Sequence, residues 1–304
     1  MCKSEHHGGC AWRGQDTKRD EVNVSTPAFF SSPDHQDLRL GDSPNKALLL
    51  HGFPGTPAEL RGVADVLVRH GWQVHAPLLP GFGQDIANLS RQHWQDWLWA
   101  AQDHWQELHA EAEQTLLLGY SMGGALALYL AATRPMEHVL LLAPFWRFPA
   151  WQVHLLPVVK HIKRQFKPFA EADFNDPKMR QQLARIVPDA DLDDSSVQWR
   201  LREGMVLPTS AIDELRKLGQ AAYKKASEVV SDTVVLQGFH DKTVRAHDTR
   251  LLTARLGGRL ELHELNGDHD FISPHSEGYQ ELQTWLEHYL TRLSQSQQQV
   301  NADT

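Results

Sequence analysis

The run Gly119-Tyr120-Ser121-Met122-Gly123 constrains the fold of this chain more than any other feature. It follows Thr115-Leu116-Leu117-Leu118, which reads as a buried strand. It precedes Ala125-Leu126-Ala127-Leu128-Tyr129-Leu130-Ala131-Ala132, which reads as a helix. Glycines two residues to either side of a serine leave room for a strained backbone and a close strand–helix approach. Strand, tight turn and helix together form a nucleophile elbow. Such a turn lifts the Ser121 hydroxyl above a sheet and aims a helix N-terminus at it.

The surrounding pattern is that of a mostly parallel α/β sheet. Short apolar strands are expected near 46–50, 73–76, 115–119, 138–143, 233–238 and 259–265. Helices are expected at 57–70, 92–110, 123–133, 247–256 and 276–293, so the two types alternate. Segments near 28–31 and 37–40 can add antiparallel edge strands. Trp94, Trp97, Leu98, Ala101, Trp105 and Leu108 recur at helical spacing and read as the core face of helix 92–110.

A serine hydroxyl is a weak nucleophile until a base takes its proton, and that base needs an acid to orient it. On a sheet of this kind the order is Ser, then Asp or Glu, then His, each on a loop after a strand. Asp241 lies just beyond the strand Thr233-Val234-Val235-Leu236-Gln237-Gly238. His269 follows the alternating strand that ends at Leu265. The chain has 18 histidines, so position must select among them. His263 falls inside a strand, His275 opens the last helix, and His240 and His247 flank the acid; these read as surface residues. Asp268 and Asp270 read as turn formers. Acyl transfer also builds an oxyanion, which backbone N–H groups must meet. Met122, next to the serine, is one expected donor. Phe53, in the loop His51-Gly52-Phe53-Pro54-Gly55 after an apolar strand, is the other, because Pro54 has no N–H.

These segments resemble the α/β-hydrolase superfamily over residues 40–292. Within it the chain is similar to bacterial carboxylesterases and monoacylglycerol lipases. The resemblance rests on His51 to Gly55, Gly119 to Gly123, Gly238 to Asp241 and Gly267-Asp268-His269. Pro77-Leu78-Leu79-Pro80-Gly81-Phe82-Gly83 resembles a further loop of these enzymes but carries Phe82 where many relatives have His. We assign that loop no catalytic role.

Residues 145–232 interrupt the alternation, opening on Phe145, Trp146, Phe148, Trp151, Leu155 and Leu156. Helical segments are expected around 175–186 and 209–229. An insertion here sits above the catalytic end of the sheet, so it is read as a helical cap or lid, with Trp146 and Trp151 as candidate substrate-binding residues. The core is then 26–144 and 233–293, with disordered tails at 1–25 and 294–304.

Composition narrows the function classes. A net charge of −8 argues against a nucleic-acid partner. No apolar stretch is long enough for a membrane span. The cysteines are Cys2 and Cys10, so the core needs no disulfide, which fits the cytoplasm. Cys2, His6, His7 and Cys10 match no common zinc spacing, and the expected chemistry needs neither metal nor cofactor. The expectation is a serine hydrolase acting on a small-molecule acyl ester or monoacylglycerol. A thioesterase, a C–C hydrolase or a serine peptidase can use the same residues. A catalytically silent binding protein is the rival of another class; its usual mark, a broken triad, is absent here.

Overall fold

The computed structural model describes residues 30, 32–110, 112–134, 136–149, 155–187 and 190–303. The tail expected at 1–25, with its Cys/His group, and Trp151 lie outside these residues. The strands in chain order are β1 (Leu38–Leu40), β2 (Asn45–Leu50), β3 (Gln73–Ala76), β4 (Gln114–Tyr120), β5 (His138–Leu142), β6 (Gln165–Phe166), β7 (Leu207–Pro208), β8 (Thr233–Gly238) and β9 (Leu260–Leu265). The helices are α1 (Arg61–Arg69), α2 (Trp94–His109), α3 (Met122–Thr133), α4 (Leu156–Ile162), α5 (Pro177–Ile186), α6 (Ser195–Gly204), α7 (Thr209–Lys225), α8 (Ala246–Thr253) and α9 (Tyr279–Asp303).

A seven-stranded sheet has the order β1-β3-β2-β4-β5-β8-β9. Every neighbouring pair is parallel except β1 with β3, so the expected strand at 37–40 is an antiparallel edge. Of the segment 28–31, only Phe30 is described, and it is buried in a side cluster rather than paired in the sheet. Central parallel strands are covered on both faces and therefore read as unbroken apolar runs. Ala47–Leu50, Leu116–Leu118, Val139–Leu142 and Val234–Leu236 are all buried. Helix α1 packs against α9, and α2 packs against α3. The aromatic stripe of α2 faces inward as its spacing predicts. Trp97 is fully buried, and its indole N–H donates to the Pro80 carbonyl at 3.0 Å.

The segment between β5 and β8 is held in two ways. Helix α7 packs on α2 and α3, placing Ala211, Leu215, Leu218 and Ala222 in the main core. Asp213 on the same helix is wholly buried, where an unpaired carboxylate would be costly. Lys160 from α4 reaches it at 2.6 Å and Arg216 at 2.7 Å, which ties α4 to α7. Helices α5 and α6 instead share a separate apolar cluster built on Phe169, Phe174, Leu183, Val187, Val197 and Leu201. Asp194 caps α6, its carboxylate accepting the Ser196 N–H at 2.7 Å.

One expectation is corrected. The polar segment from 294 is not a disordered tail: α9 continues through it to Asp303. Leu282, Leu286 and Leu290 are buried and nucleate the helix, after which each added turn costs little. Ser294 and Ser296 hydroxyls donate to the carbonyls four residues back, at 3.1 and 3.0 Å.

Gly219 offers a test of the α7 contact. A helical glycine replaced by alanine normally gains up to about 1 kcal/mol. Here a Cβ would collide with the Trp146 carbonyl. Gly219→Ala should therefore destabilise the protein by about 1–3 kcal/mol in urea titration.

Candidate active site

Ser121 sits at the turn between β4 and α3 with φ 51° and ψ −111°, a left-handed conformation costly for a side-chain-bearing residue. Its surroundings explain the glycines. A Cβ at Gly119 would strike the Gly123 carbonyl, and one at Gly123 would strike the carbonyls of Leu50 and His51. The Ser121 N–H donates to Leu142 O at 2.9 Å, and its carbonyl accepts the Phe145 N–H at 2.9 Å. The turn is thus clamped to the ends of β2 and β5. Met122 opens α3, so its N–H is among those without an intrahelical acceptor.

The loops after β8 and β9 are bonded to each other. Phe239 N–H donates to Leu265 O and His240 N–H to Gly267 O, both at 2.9 Å. Gly238 permits this approach, since a Cβ there would meet the Asp268 carbonyl. The two loops bring Asp241 and His269 together. His269 Nδ1 lies 2.7 Å from Asp241 Oδ2, and His269 Nε2 lies 3.1 Å from Ser121 Oγ. A carboxylate only accepts, so the proton is assigned to Nδ1, which leaves Nε2 free to accept from the serine. Asp241 is buried, and its Oδ1 accepts the N–H groups of Thr243 and Val244, each at 2.8 Å.

This group opens on a cavity of about 740 Å³. Phe53, Ser121 and His269 line its floor. Phe145, Phe148, Phe166, Phe169, Leu207, Ile212 and Leu215 form an apolar wall, and all of them come from the insertion. His240, Lys242, Asp268, Asp270 and Glu277, from outside the insertion, add polar groups to the lining, as does Gln182 of the insertion. Trp146 does not line this space, which corrects its assignment as a substrate-binding residue. Phe145 and Phe148 take the cavity side and pack on each other with ring centroids 4.8 Å apart. Trp146 stacks on Tyr223 with centroids 4.2 Å apart, and its indole N–H donates to Asp248 O at 2.8 Å. His263 and His275 likewise do not line the cavity, whereas His240 does.

Buried Tyr120, Glu59, His51 and Gln237, none of them given a role of its own by the sequence pattern, hold this arrangement. The Tyr120 hydroxyl donates to the His269 carbonyl at 3.0 Å. Buried Glu59 accepts the Gly52 N–H, and the missing Cβ of Gly55 leaves space for its carboxylate. His51 is fully buried; its Nε2 accepts the Leu79 N–H at 3.1 Å and its Nδ1 donates to Gly52 O at 2.9 Å. Phe82, found where many relatives carry His, packs edge-on against that ring. Gln237 is a buried amide in an otherwise apolar strand, and that contrast is the one signal in the sequence that could have drawn attention to it.

The family described as Hydrolase_4, serine aminopeptidase S33, matches residues 43–270. The chain belongs to this family. Its seven-stranded, mostly parallel sheet flanked by helices is the α/β-hydrolase fold. Over 94 residues it is 34% identical to a thermostable monoacylglycerol lipase of Bacillus sp. (strain H-257), a match spanning 31% of this chain and 38% of the lipase. It is 23% identical over 232 residues to a carboxylesterase of Bacillus subtilis (strain 168), covering 76% of this chain and 82% of that enzyme. The structure of a metagenome-derived lipolytic enzyme of the LipS and LipT pair superposes with a TM-score of 0.69 at 20% identity, covering 86% and 98% of the two chains. The monoacylglycerol lipase of Paleococcus ferrophilus superposes at 0.59 with 18% identity, covering 84% and 97%.

The buried histidine of this α/β-hydrolase makes a stability prediction. Burial lowers the pKa of His51 from 6.5 to about 4, against a smaller upward pull from its bond to Gly52. The unfolded chain therefore binds a proton that the folded one refuses. The stability this group contributes is complete above pH 6.5 and is lost as the pH falls toward 4. The loss should reach about 3 kcal/mol for His51. His75, lowered to about 4 by burial, Arg39 and His104, acts in the same window. Urea midpoints compared at about pH 7 and about pH 4.5 should show the loss, and His51→Asn should flatten part of it.

Proposed function

We propose that this protein is a serine hydrolase that cleaves carboxylic esters, with short- to medium-chain acyl esters or monoacylglycerols as substrates. The observation that carries the reading is the Ser121–His269–Asp241 chain of hydrogen bonds at a cavity lined by apolar residues of the insertion and by polar residues mostly from outside it. In this reading Ser121 Oγ attacks the ester carbonyl while His269 Nε2 takes its proton. Asp241 orients the ring and stabilises the imidazolium. The N–H groups of Met122 and Phe53 receive the oxyanion. His269 then protonates the leaving alcohol, and water, activated by the same nitrogen, releases the acid. The steps need no cofactor. The insertion serves as the lid, its apolar wall taking the acyl chain while the polar lining takes the alcohol. No helix among the described residues is long and apolar enough to cross a membrane. A cytoplasmic setting fits a chain with no cysteine beyond Cys10.

A peptidase reading has one observation in its favour. Asp268, Asp270 and Glu277 line the cavity near His269, and carboxylates there suit a substrate with a free amino terminus. Aminoacyl p-nitroanilides separate the readings, because an esterase of this design should leave them intact.

Two outcomes are expected. Ser121→Ala should lower kcat on p-nitrophenyl esters by about four to six orders of magnitude with little change in stability, and should abolish labelling by a fluorophosphonate. Across esters from acetate to palmitate, kcat/KM should rise by up to about 0.8 kcal/mol per methylene until the wall is filled, then fall. Full turnover by Ser121→Ala sinks the mechanism; a flat chain-length profile removes the acyl chain from this wall.

A further inference from the structure

Gln237, next to last in β8, is a fully buried primary amide in a strand whose other members are Thr233, Val234, Val235, Leu236 and Gly238. Burying an amide costs free energy unless its donors and acceptor are matched. Here they are. The Thr249 hydroxyl donates to Gln237 Oε1 at 2.6 Å. A hydroxyl can donate or accept, so the amide's orientation is decided at its other end, where the NH₂ group faces the loop that carries Asp241. Nε2 lies 2.9 Å from Val244 O, 3.1 Å from Gly238 O and 3.1 Å from Asp241 Oδ2. The reversed amide would set its oxygen against these three acceptors, so the orientation with Nε2 toward them is favoured.

Oδ2 is the oxygen of Asp241 that His269 Nδ1 approaches at 2.7 Å. The opposite oxygen is occupied by the backbone N–H groups of Thr243 and Val244. The amide of Gln237 thus shares Oδ2 with the histidine. A second donor on that oxygen does two things. It stops the carboxylate from rotating about its Cβ–Cγ bond, which holds Oδ2 toward the imidazole N–H. It also draws electron density from Oδ2, so the carboxylate grips the imidazolium proton less tightly.

We propose that Gln237 is a positioning residue that sets the geometry and the proton grip of the Asp241–His269 pair, anchored from α8 through Thr249. The proposal rests on the serine-hydrolase reading, and Ser121→Ala tests that reading separately. Gln237 touches neither substrate nor serine and acts through Asp241.

The test is a pH series of kcat and KM on a soluble ester, p-nitrophenyl butyrate, for the wild type and three variants, each with its melting temperature measured. Gln237→Met keeps the length of the side chain and removes the donors. Its kcat should fall about tenfold to a hundredfold with KM within about twofold, as small misplacements of a catalytic base do. The acid limb of its kcat/KM profile should move to higher pH, because an Oδ2 relieved of the amide holds the imidazolium more tightly. Gln237→Glu supplies a carboxylic acid that donates to Oδ2 only while protonated. Its activity should exceed that of Gln237→Met at low pH and fall as the pH rises, giving a descending limb absent from the wild type. Thr249→Val removes only the hydroxyl that anchors the amide oxygen, and should shift the acid limb in the same direction by less. It carries the test should Gln237→Met fail to fold. A fall in kcat with the limbs unmoved assigns Gln237 to packing alone and overturns the proposal, as does wild-type kcat in Gln237→Met. Wild-type turnover in Ser121→Ala would instead overturn the parent reading.

Discussion

The backbone around Ser121 is packed against other backbone, and most of the molecule's functional geometry depends on that contact. Gly119 faces the carbonyl of Gly123, Gly123 faces those of Leu50 and His51, and Gly124 faces the Cα of Pro144. Side chains can rotate away from a misfit; backbone in the middle of a parallel sheet cannot. The ends of β2, β4 and β5 are therefore fixed relative to one another within a narrow tolerance. Ser121 then sits at a set distance from Phe53, at the exit of β2, and from Phe145, at the exit of β5. The left-handed conformation of the serine is the strain that this packing holds in place.

Around that centre, buried polar groups join loops that are far apart in the chain. His51 links the loop after β2 to the loop after β3. Tyr120 links the elbow to the loop after β9, and Gln237 links the end of β8 to α8. Each is satisfied by hydrogen bonds, which is the condition for burying it. His51 shows the accompanying liability. An imidazole that accepts the Leu79 N–H has no place for a second proton, and the fold loses stability in acid as a result.

Much of this was legible in the sequence where a local rule applies. Apolar runs of strand length marked β2, β4, β5 and β8, and the order Ser121, Asp241, His269 assigned three side chains to the loops after β4, β8 and β9. Helical spacing placed Trp97 and Trp105 in the core. Other features answer to no local rule. Trp146 and Phe145 are neighbours of similar character, and tertiary partners, Tyr223 and the Asp248 carbonyl for Trp146, decide which one meets the cavity. The partners of His51 and Gln237 are set by tertiary approach, which no spacing records. Helix α9 outlasts its apolar pattern because propagation from a packed segment needs no further burial.

The cavity wall draws on parts of the molecule with unequal roles in stability. Phe145, Leu207 and Leu215 are buried members of the main core, so reshaping the wall there disturbs the sheet and α7 together. Phe169 belongs to the smaller cluster of α5 and α6. Phe166 is 44% exposed, and Phe148 and Ile212 are only half-buried, so changes at these three alter the wall with less cost to the fold. A methylene in such a wall is worth up to about 0.8 kcal/mol, roughly a factor of four in rate. The loss of a core aromatic costs about 3–5 kcal/mol of stability. A change of preferred acyl length is therefore physically easiest through Phe148, Phe166 and Ile212, while the elbow and the loops beneath stay as they are.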